Sequence, residues 1–125
     1  ELMPGLYAIH RLPSNAPLPA LPGPPAFTVV SRSAEELSVL CPSEVKLDSA
    51  QRVDPFVCLR VAGTLDFSLV GVLADLTCCL AQAAVSVFAV STFDTDYLLV
   101  QKKQRDAAIQ ALRDAGYSWA EATSG

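Results

Sequence analysis

The stretch from Leu65 to Val100 constrains the fold most, because it is almost wholly apolar and its hydrophobic period changes part-way. From Leu69 to Ala84 the leucines and valines recur every three or four residues, which is the spacing of a helix with one buried face. After Ala84 come two runs rich in β-branched and aromatic residues, "VSVFAVS" and "YLLVQK", separated by the polar "TFDTD". The stretch therefore predicts a helix, a strand, a tight turn and a second strand.

The same stretch also has the length of a membrane-spanning helix between Leu69 and Val90. Asp75 and Gln82 interrupt that run, however, and no basic residues flank it closely. We therefore interpret the run as part of a buried core and expect no membrane partner. The opening "ELMPGLYAIHRLP" lacks the basic and apolar regions of a secretory signal, so we predict a cytoplasmic location.

The flanking segments complete a recognisable order of elements. "PFVCLRVAG" before the stretch predicts a strand that ends at Gly63, and Gln104 to Ala115 predicts a second amphipathic helix with Gly116 as its stop. "YSWAE" adds a short final strand. The resulting order, βαββαβ, is typical of the ferredoxin-like fold, an antiparallel sheet with both helices on one face. The sequence thus predicts an α+β domain over residues 55–125.

The first part of the chain reads as a shortened version of this unit. Six of the nine prolines lie between Pro13 and Pro25, and such a segment runs extended over the surface as a strap. "GLYAIHRL" and "AFTVVSRS" on either side of it predict strands, as does "LSVLC". Ser33 and Glu36 match a helix capping box and predict one helical turn. A boundary is expected between Pro42 and Asp54, where the sequence is polar.

Composition excludes several functions. A net charge of −4, with nine scattered lysines and arginines, argues against a surface that binds nucleic acid or anionic membrane. The four cysteines, Cys41, Cys58, Cys78 and Cys79, show no CxxC spacing, and His10 is the only histidine that could join them in a metal site. We predict reduced core thiols. His10 is expected to be a hydrogen-bonded strand residue.

No catalytic constellation is found either. His10 has no nucleophile motif beside it, the thiols lack a basic neighbour, and there is no glycine-rich phosphate loop. Asp94 and Asp96 lack a third ligand at a useful spacing for a hard cation. The sequence therefore predicts a protein that is not an enzyme and has neither a cofactor nor a metal site.

Three phrases carry a family resemblance: "SRSAEELSVLCP", "LDFSLVGVLADL" and "AVSVFAVSTFDTDYLLV". Together they resemble the small bacterial tandem ACT-domain proteins and are similar to the ACT repeats of the CASTOR-type cytosolic arginine sensors of animals. The resemblance covers the chain from Pro4 to about Gly116. It implies a ferredoxin-like ACT domain at residues 55–125, preceded by a truncated ACT-like subdomain at 1–48 with the Pro-rich strap at 13–25. It also implies a non-catalytic regulatory module that binds a small molecule, most often an amino acid, and forms a homodimer.

The resemblance further implies a ligand site where the strand-to-helix loop meets a second ACT unit. A helix N-terminus suits a ligand carboxylate, Asp66 can pair with an α-ammonium, and Gly71 permits close approach. The predicted ligand-binding residues are Asp66, Phe67, Ser68, Leu69, Val70 and Gly71 of the loop, with Ser91 and Thr92 at the neighbouring strand end.

Other interpretations of these residues stay open. Asp66 or Ser68 can cap the helix that starts near Leu69, and Gly71 can serve helix packing alone. Hydrogen bonding within the turn is an alternative for Ser91, Thr92 and Thr95, and it is the favoured interpretation of Asp94 and Asp96. The alternative function is a structural dimerisation or interaction protein whose ACT pocket is degenerate and empty.

Overall fold

The computed structural model describes residues 1–49, 51–61 and 71–117, which belong to two compact units. The N-terminal unit is Gly5–Pro55, and the C-terminal unit is Glu1–Pro4 together with Phe56–Gly125. The domain assignments made from the sequence, a truncated ACT-like subdomain at 1–48 and an ACT domain at 55–125, stay predictions.

The N-terminal unit is built on three antiparallel strands. They are β1 (Tyr7–Leu12), β2 (Val29–Arg32) and β3 (Leu37–Pro42), and β3 pairs with both of the others, so that their order is β2-β3-β1. The central strand, β3, is the most deeply buried, because it lies between the other two and carries mostly apolar side chains. A fourth strand, β4 (Gln51–Arg60), begins in this unit and ends in the C-terminal unit.

The predicted helical turn at Ser33–Glu36 is wrong, because this segment is the turn of a hairpin between β2 and β3. The Ser33 amide donates to the Glu36 carbonyl at 2.9 Å, and the Ser33 hydroxyl oxygen accepts from the amides of Glu35 and Glu36, both at 3.2 Å. A serine hydroxyl can cap a helix or close a turn with the same bonds. The turn forms here because no apolar helical repeat follows it before β3 begins.

The Pro-rich strap, residues 13–25, contains turns but neither helix nor strand. Its Ala16 and Leu21 pack against a buried cluster in β3. That cluster consists of Leu37, Val39 and Cys41. Arg32 of β2 donates to the carbonyls of Ser14 and Ala16 and so ties the start of the strap to the sheet. The strap covers part of this sheet face, because two apolar side chains and one guanidinium hold it there.

The C-terminal unit contains the end of β4, two α-helices and a hairpin. Its further elements are α1 (Val72–Gln82), β5 (Phe88–Ser91), β6 (Asp96–Gln101), a 3₁₀-helix (Lys102–Gln104) and α2 (Arg105–Asp114). The strands are antiparallel in the order β4-β6-β5, α1 contacts α2, and α2 contacts β6. Leu76 and Leu80 of α1 and Ile109 and Leu112 of α2 are buried, as their spacing predicts.

In this unit the types of the predicted elements agree with the structure better than their predicted boundaries do. The helices predicted at 69–84 and 104–115 are observed at Val72–Gln82 and Arg105–Asp114. Gly116, with a φ of 95°, ends α2 as predicted. The prediction of an α+β fold with antiparallel strands is confirmed. The exact βαββαβ order stays a prediction, because the described chain has six strands and the final strand predicted at "YSWAE" extends beyond the described residues.

The apolar run from Leu69 to Val90 includes all of α1 and much of β5. Within residues 1–49, 51–61 and 71–117, neither helix combines the length and the apolar character required to cross a lipid bilayer.

Candidate functional site

The first turn of α1 begins at Gly71, which occupies the N-cap position in a left-handed conformation, with φ 89° and ψ 3°. Glycine adopts such a conformation without strain, because it has no Cβ. Its carbonyl accepts from the Asp75 amide at 2.9 Å, whereas Gly71 has no side chain that could accept from the other amides of the turn. Among the described residues, no atom lies within 4 Å of the place that a Cβ would occupy.

Five of the predicted ligand-binding residues lie outside the described part of the chain. They are Asp66, Phe67, Ser68, Leu69 and Val70. Their assignment to ligand binding therefore stays a prediction, as does the alternative that Asp66 or Ser68 caps the helix. The observed start of the helix at Val72 is three residues later than the start predicted near Leu69.

Thr92 closes the turn between β5 and β6. Its amide and its hydroxyl both donate to the Thr95 carbonyl, at 2.8 Å and 3.0 Å, and the Thr95 amide donates to the Thr92 hydroxyl oxygen at 3.3 Å. Its hydroxyl is thus engaged in the turn, and its predicted role in ligand binding stays a prediction. The turn also presents Phe93 with 94% of its surface exposed, and Asp94 is exposed beside it.

Ser91 and Asp96 face each other across the hairpin. They are directly opposite in the register of β5 and β6, and the Ser91 hydroxyl donates to the Asp96 carboxylate. Asp96 is only 9% exposed, and a buried polar group of this kind requires a hydrogen-bond partner. The Asp96 carbonyl also accepts from the Val61 amide at 3.0 Å. Val61 directly follows β4, so Ser91 and Asp96 lie beside the end of this strand, from which the chain continues toward the predicted ligand loop.

Arg60, the residue before Val61, lies on the other face of the strands. It is opposite Tyr97 in the register of β4 and β6, and neighbouring residues of a strand point to opposite faces, so Arg60 is turned away from the Asp96 side chain. Its guanidinium is 3.0 Å from the Glu1 carboxylate, and this hydrogen bond raises the pKa of Arg60. The cation at the end of β4 therefore belongs to a separate ion pair.

The described residues offer no metal centre. In the ranges 1–49, 51–61 and 71–117, no three histidine, cysteine or acidic side chains lie close enough together to hold a metal ion. All four cysteines are free thiols. Cys41 and Cys58 are buried as predicted, but Cys79 is half-buried and Cys78 is exposed, because that side chain lies on the outer face of α1. The prediction of core thiols is therefore correct for two of them.

Known proteins share this arrangement of strands and helices. The profile of the ACT domain family matches residues 51–114, just over half of the chain. The chain belongs to the ACT domain family. The matched range runs from the start of β4 to the end of α2, so it contains the Ser91–Asp96 pair and Gly71. No curated protein sequence matches.

Two solved structures resemble this ACT domain protein over most of its length. Protein Atu0741 from Agobacterium tumefaciens is 28% identical with a TM-score of 0.87, and the match covers 98% of this chain and 91% of that one. Protein VC0802 from Vibrio cholerae, of unknown function, is 23% identical with a TM-score of 0.63 over 90% of this chain and 84% of that one, which indicates a shared fold. The predicted resemblance is confirmed at the level of the ACT domain, whereas bacterial origin, a tandem arrangement and kinship with CASTOR-type sensors stay predictions.

Sequence reasoning did not include Asp96 among the site residues of the ACT domain. It was interpreted as a turn residue, but it opens β6 and is buried there opposite Ser91. The alternation of side-chain direction along β6 indicated that Asp96 is buried, because it shares a face with Leu98 and Val100 of the same strand. Of the predicted residues that are described, Ser91 pairs with Asp96, Thr92 closes the turn and Gly71 starts the helix.

A hydrogen bond joins the end of α2 to the start of α1. The Tyr117 hydroxyl, just past α2, donates to the carboxylate of Asp75 in the first turn of α1. This bond raises the pKa of Tyr117 to about 12, since losing the phenolic proton would place two negative charges side by side. The start of α1, where the predicted ligand loop ends, is thus tied to the end of α2.

We expect this bond to be visible in a spectrophotometric titration of the three tyrosines. The pKa of Tyr117 in the folded chain lies above its unfolded value near 10, so the stabilisation from this bond is present below pH 10 and is lost between about 10 and 12. Asp75→Asn should lower the pKa of Tyr117 toward its ordinary value, and Tyr117→Phe should remove that titration step. A titration unchanged in Asp75→Asn would show that another group raises the pKa.

Proposed function

We propose that the chain is a non-catalytic regulatory module that binds an amino acid at the joint between β4 and α1, acts without a cofactor and functions as a homodimer. ACT domains are in general regulatory and bind small molecules, which supports the class of function. The proposal includes neither nucleic acid nor membrane as a partner, in keeping with the net charge of −4. A cytoplasmic location is part of the same proposal.

The buried carboxylate of Asp96 carries this proposal. A free amino acid presents an ammonium and a carboxylate, and each needs a partner of opposite charge. Asp96 supplies a negative charge beside Val61, just past the end of β4 and on the approach to the predicted ligand loop. The N-terminus of α1 supplies a partial positive charge where the loop ends, at a glycine that adds no side chain to the first turn. The two ends of the loop therefore offer complementary partners for one zwitterion.

The alternative is a structural interaction protein with an empty pocket, and the exposed side of β5 favours it. β5 ends the order β4-β6-β5, Phe88 is 37% exposed, and the strand carries no charged residue. A neutral edge strand of this kind can pair with another chain. A homodimer that binds ligand could use the same pairing. Dimerisation therefore does not distinguish the two functions, whereas ligand binding does.

Thermal unfolding in the presence of each of the twenty amino acids tests the proposal. A true ligand at a hundredfold excess over its Kd stabilises the protein by about 2.7 kcal/mol. Asp96→Asn keeps the side-chain shape but removes the charge, and we expect it to weaken that ligand about tenfold to a hundredfold in isothermal titration calorimetry. The circular dichroism of the variant should be measured first, to establish that it is folded.

Asp94→Asn is the matched control, because Asp94 is exposed and lies in the same turn two residues away. It should leave the affinity unchanged. An equal loss in both variants would mean that general electrostatics rather than a contact with Asp96 drives binding. No thermal shift with any amino acid, in a protein that is dimeric by light scattering, would support the structural alternative.

A further inference from the structure

His10 is a buried histidine whose ring is bonded on one side only. It lies opposite Val39 in the register of β1 and β3, so its side chain is on the face that carries the β3 cluster, and the residue is 1% exposed. Its Nδ1 is 2.7 Å from the Ser49 hydroxyl oxygen. Its Nε2 is buried and has no hydrogen-bond partner in the described part of the chain. A protonated His10 ring would carry an N–H on both nitrogens, and the N–H on Nε2 would have no acceptor among the described residues.

Ser49 belongs to residues 43–49, a segment that covers the same face. Val45 and Leu47 of this segment pack against the β3 cluster. From residue 45 to 49 the chain forms neither helix nor strand, and its backbone bonds are local, from the Val45 amide to Pro42 and from the Ser49 amide to Leu47, both at 3.0 Å. The backbone of the segment is tied to distant residues at Ser43, whose amide donates to the Leu6 carbonyl at 2.9 Å and whose carbonyl accepts from Arg52 at 2.8 Å. Segments held in this way open at lower free energy than paired strands do.

The charged groups near His10 would stabilise the positive charge of a protonated ring only weakly. Asp54 is the acidic neighbour, and its carboxylate is already 2.9 Å from the Arg52 guanidinium. Burial lowers the pKa of His10, Arg52 lowers it further, and Asp54 opposes both effects. The Cys41 thiol of the same face stays neutral, since burial raises its pKa. The charged residues of the covering segment are all exposed; they are Glu44, Lys46 and Asp48.

We propose that protonation of His10 releases segment 43–49 from the sheet, so that the N-terminal unit carries a latch that is closed at neutral pH and opens in mildly acidic solution. In the closed state the ring is neutral and shielded from water. In the open state it is hydrated and titrates near 6.5. Because the open state takes up the proton more readily, the closed state loses stability as pH falls below 6.5, and nothing changes above that value. Within this window each pH unit increases the ratio of open to closed molecules by up to about tenfold.

Hydrogen exchange of segment 43–49, followed by mass spectrometry and corrected for intrinsic rates, measures the latch. We expect protection to fall about tenfold between pH 7.5 and 5.5, while the β6 segment keeps its protection. His10→Gln cannot be protonated but can still bond Ser49, and it should show no such fall. His10 is the only histidine of the chain, so its ring signals in an NMR titration report on this site alone.

Two results would overturn the latch. One is an equal loss of protection in His10→Gln, and the other is a ring that titrates at or above its ordinary value in the folded protein. Ser49→Ala provides an independent variant if His10→Gln does not fold. It removes the bond to Nδ1 but keeps the ring, so it should raise exchange at neutral pH and retain the dependence on acid. A loss of that dependence in Ser49→Ala would also contradict the proposal.

Discussion

Leu99→Ala lowers the free energy of unfolding by about 2–5 kcal/mol, because Leu99 is 0% exposed and a cavity replaces its side chain. The residue lies in β6, the middle strand of β4-β6-β5, opposite Cys58 on one side and Phe88 on the other. Pairing on both sides fixes the backbone, so the neighbours cannot move in to fill the space. Urea denaturation followed by circular dichroism measures the loss.

Phe93→Ala in the adjacent turn is the control for this change. It removes a larger apolar side chain, but Phe93 is 94% exposed, so we expect the free energy of unfolding to change by no more than about 0.5 kcal/mol. The comparison separates burial from hydrophobicity within one hairpin. A loss below about 1 kcal/mol in Leu99→Ala would mean that the surrounding side chains rearrange and that the core is less rigid than a close-packed one.

Hydrophobic periodicity predicted the ACT domain helices and the hairpin because both depend on local repeats. Leu76 and Leu80 are one helical turn apart and both are buried, and in β6 the aliphatic residues are buried between polar ends. Burial of one face requires such repeats, whatever the neighbouring elements are. Boundaries were less predictable, because helix ends depend on local backbone conformation. The left-handed Gly71 sets the start of α1, and apolar spacing carries no information about it.

The turn at Ser33–Glu36 could not be identified from its residues alone. Ser33 uses one hydroxyl oxygen to accept from two amides, and this bonding suits a capped helix as well as a hairpin turn. The pairing of β2 with β3 decides between the two, and that pairing depends on side chains outside the motif. A four-residue motif therefore identifies where the chain turns but not which element follows.

The sequence predicts the hairpin that carries Ser91, but not the burial of Asp96 within it. The bond from Val61 to Asp96 places this hairpin beside the end of β4, and the assignment of Ser91 to a ligand site stays a prediction. The burial of Asp96 is a tertiary effect, since it depends on β6 lying between β4 and β5. Thr92 closes the turn with its hydroxyl, as turn bonding predicts, and its assignment to ligand binding stays a prediction.

The second large effect that we expect is a difference in alkylation rate between the buried thiol of Cys58 and the exposed thiol of Cys78. Burial raises the pKa of Cys58 to about 12, so about one molecule in ten thousand carries its thiolate at pH 8. Cys58 is also 0% exposed, whereas Cys78 on α1 is exposed. Peptide mass spectrometry after timed alkylation with iodoacetamide should therefore find Cys58 modified at least about a thousandfold more slowly than Cys78.

Unfolding the chain in concentrated guanidinium chloride is the control, because it removes burial while leaving the thiols in place. The two rates should then converge, since both thiols become solvated and the pKa of Cys58 returns to its ordinary value. Fast alkylation of Cys58 without denaturant would mean that the centre of β4 opens often, and Leu99 directly opposite would then be solvated as well. Alkylation of Cys58 in Leu99→Ala connects the two experiments. A cavity beside Cys58 that lowers the free energy of opening by about 2–5 kcal/mol should accelerate this reaction about thirtyfold or more, provided that alkylation proceeds through the open state.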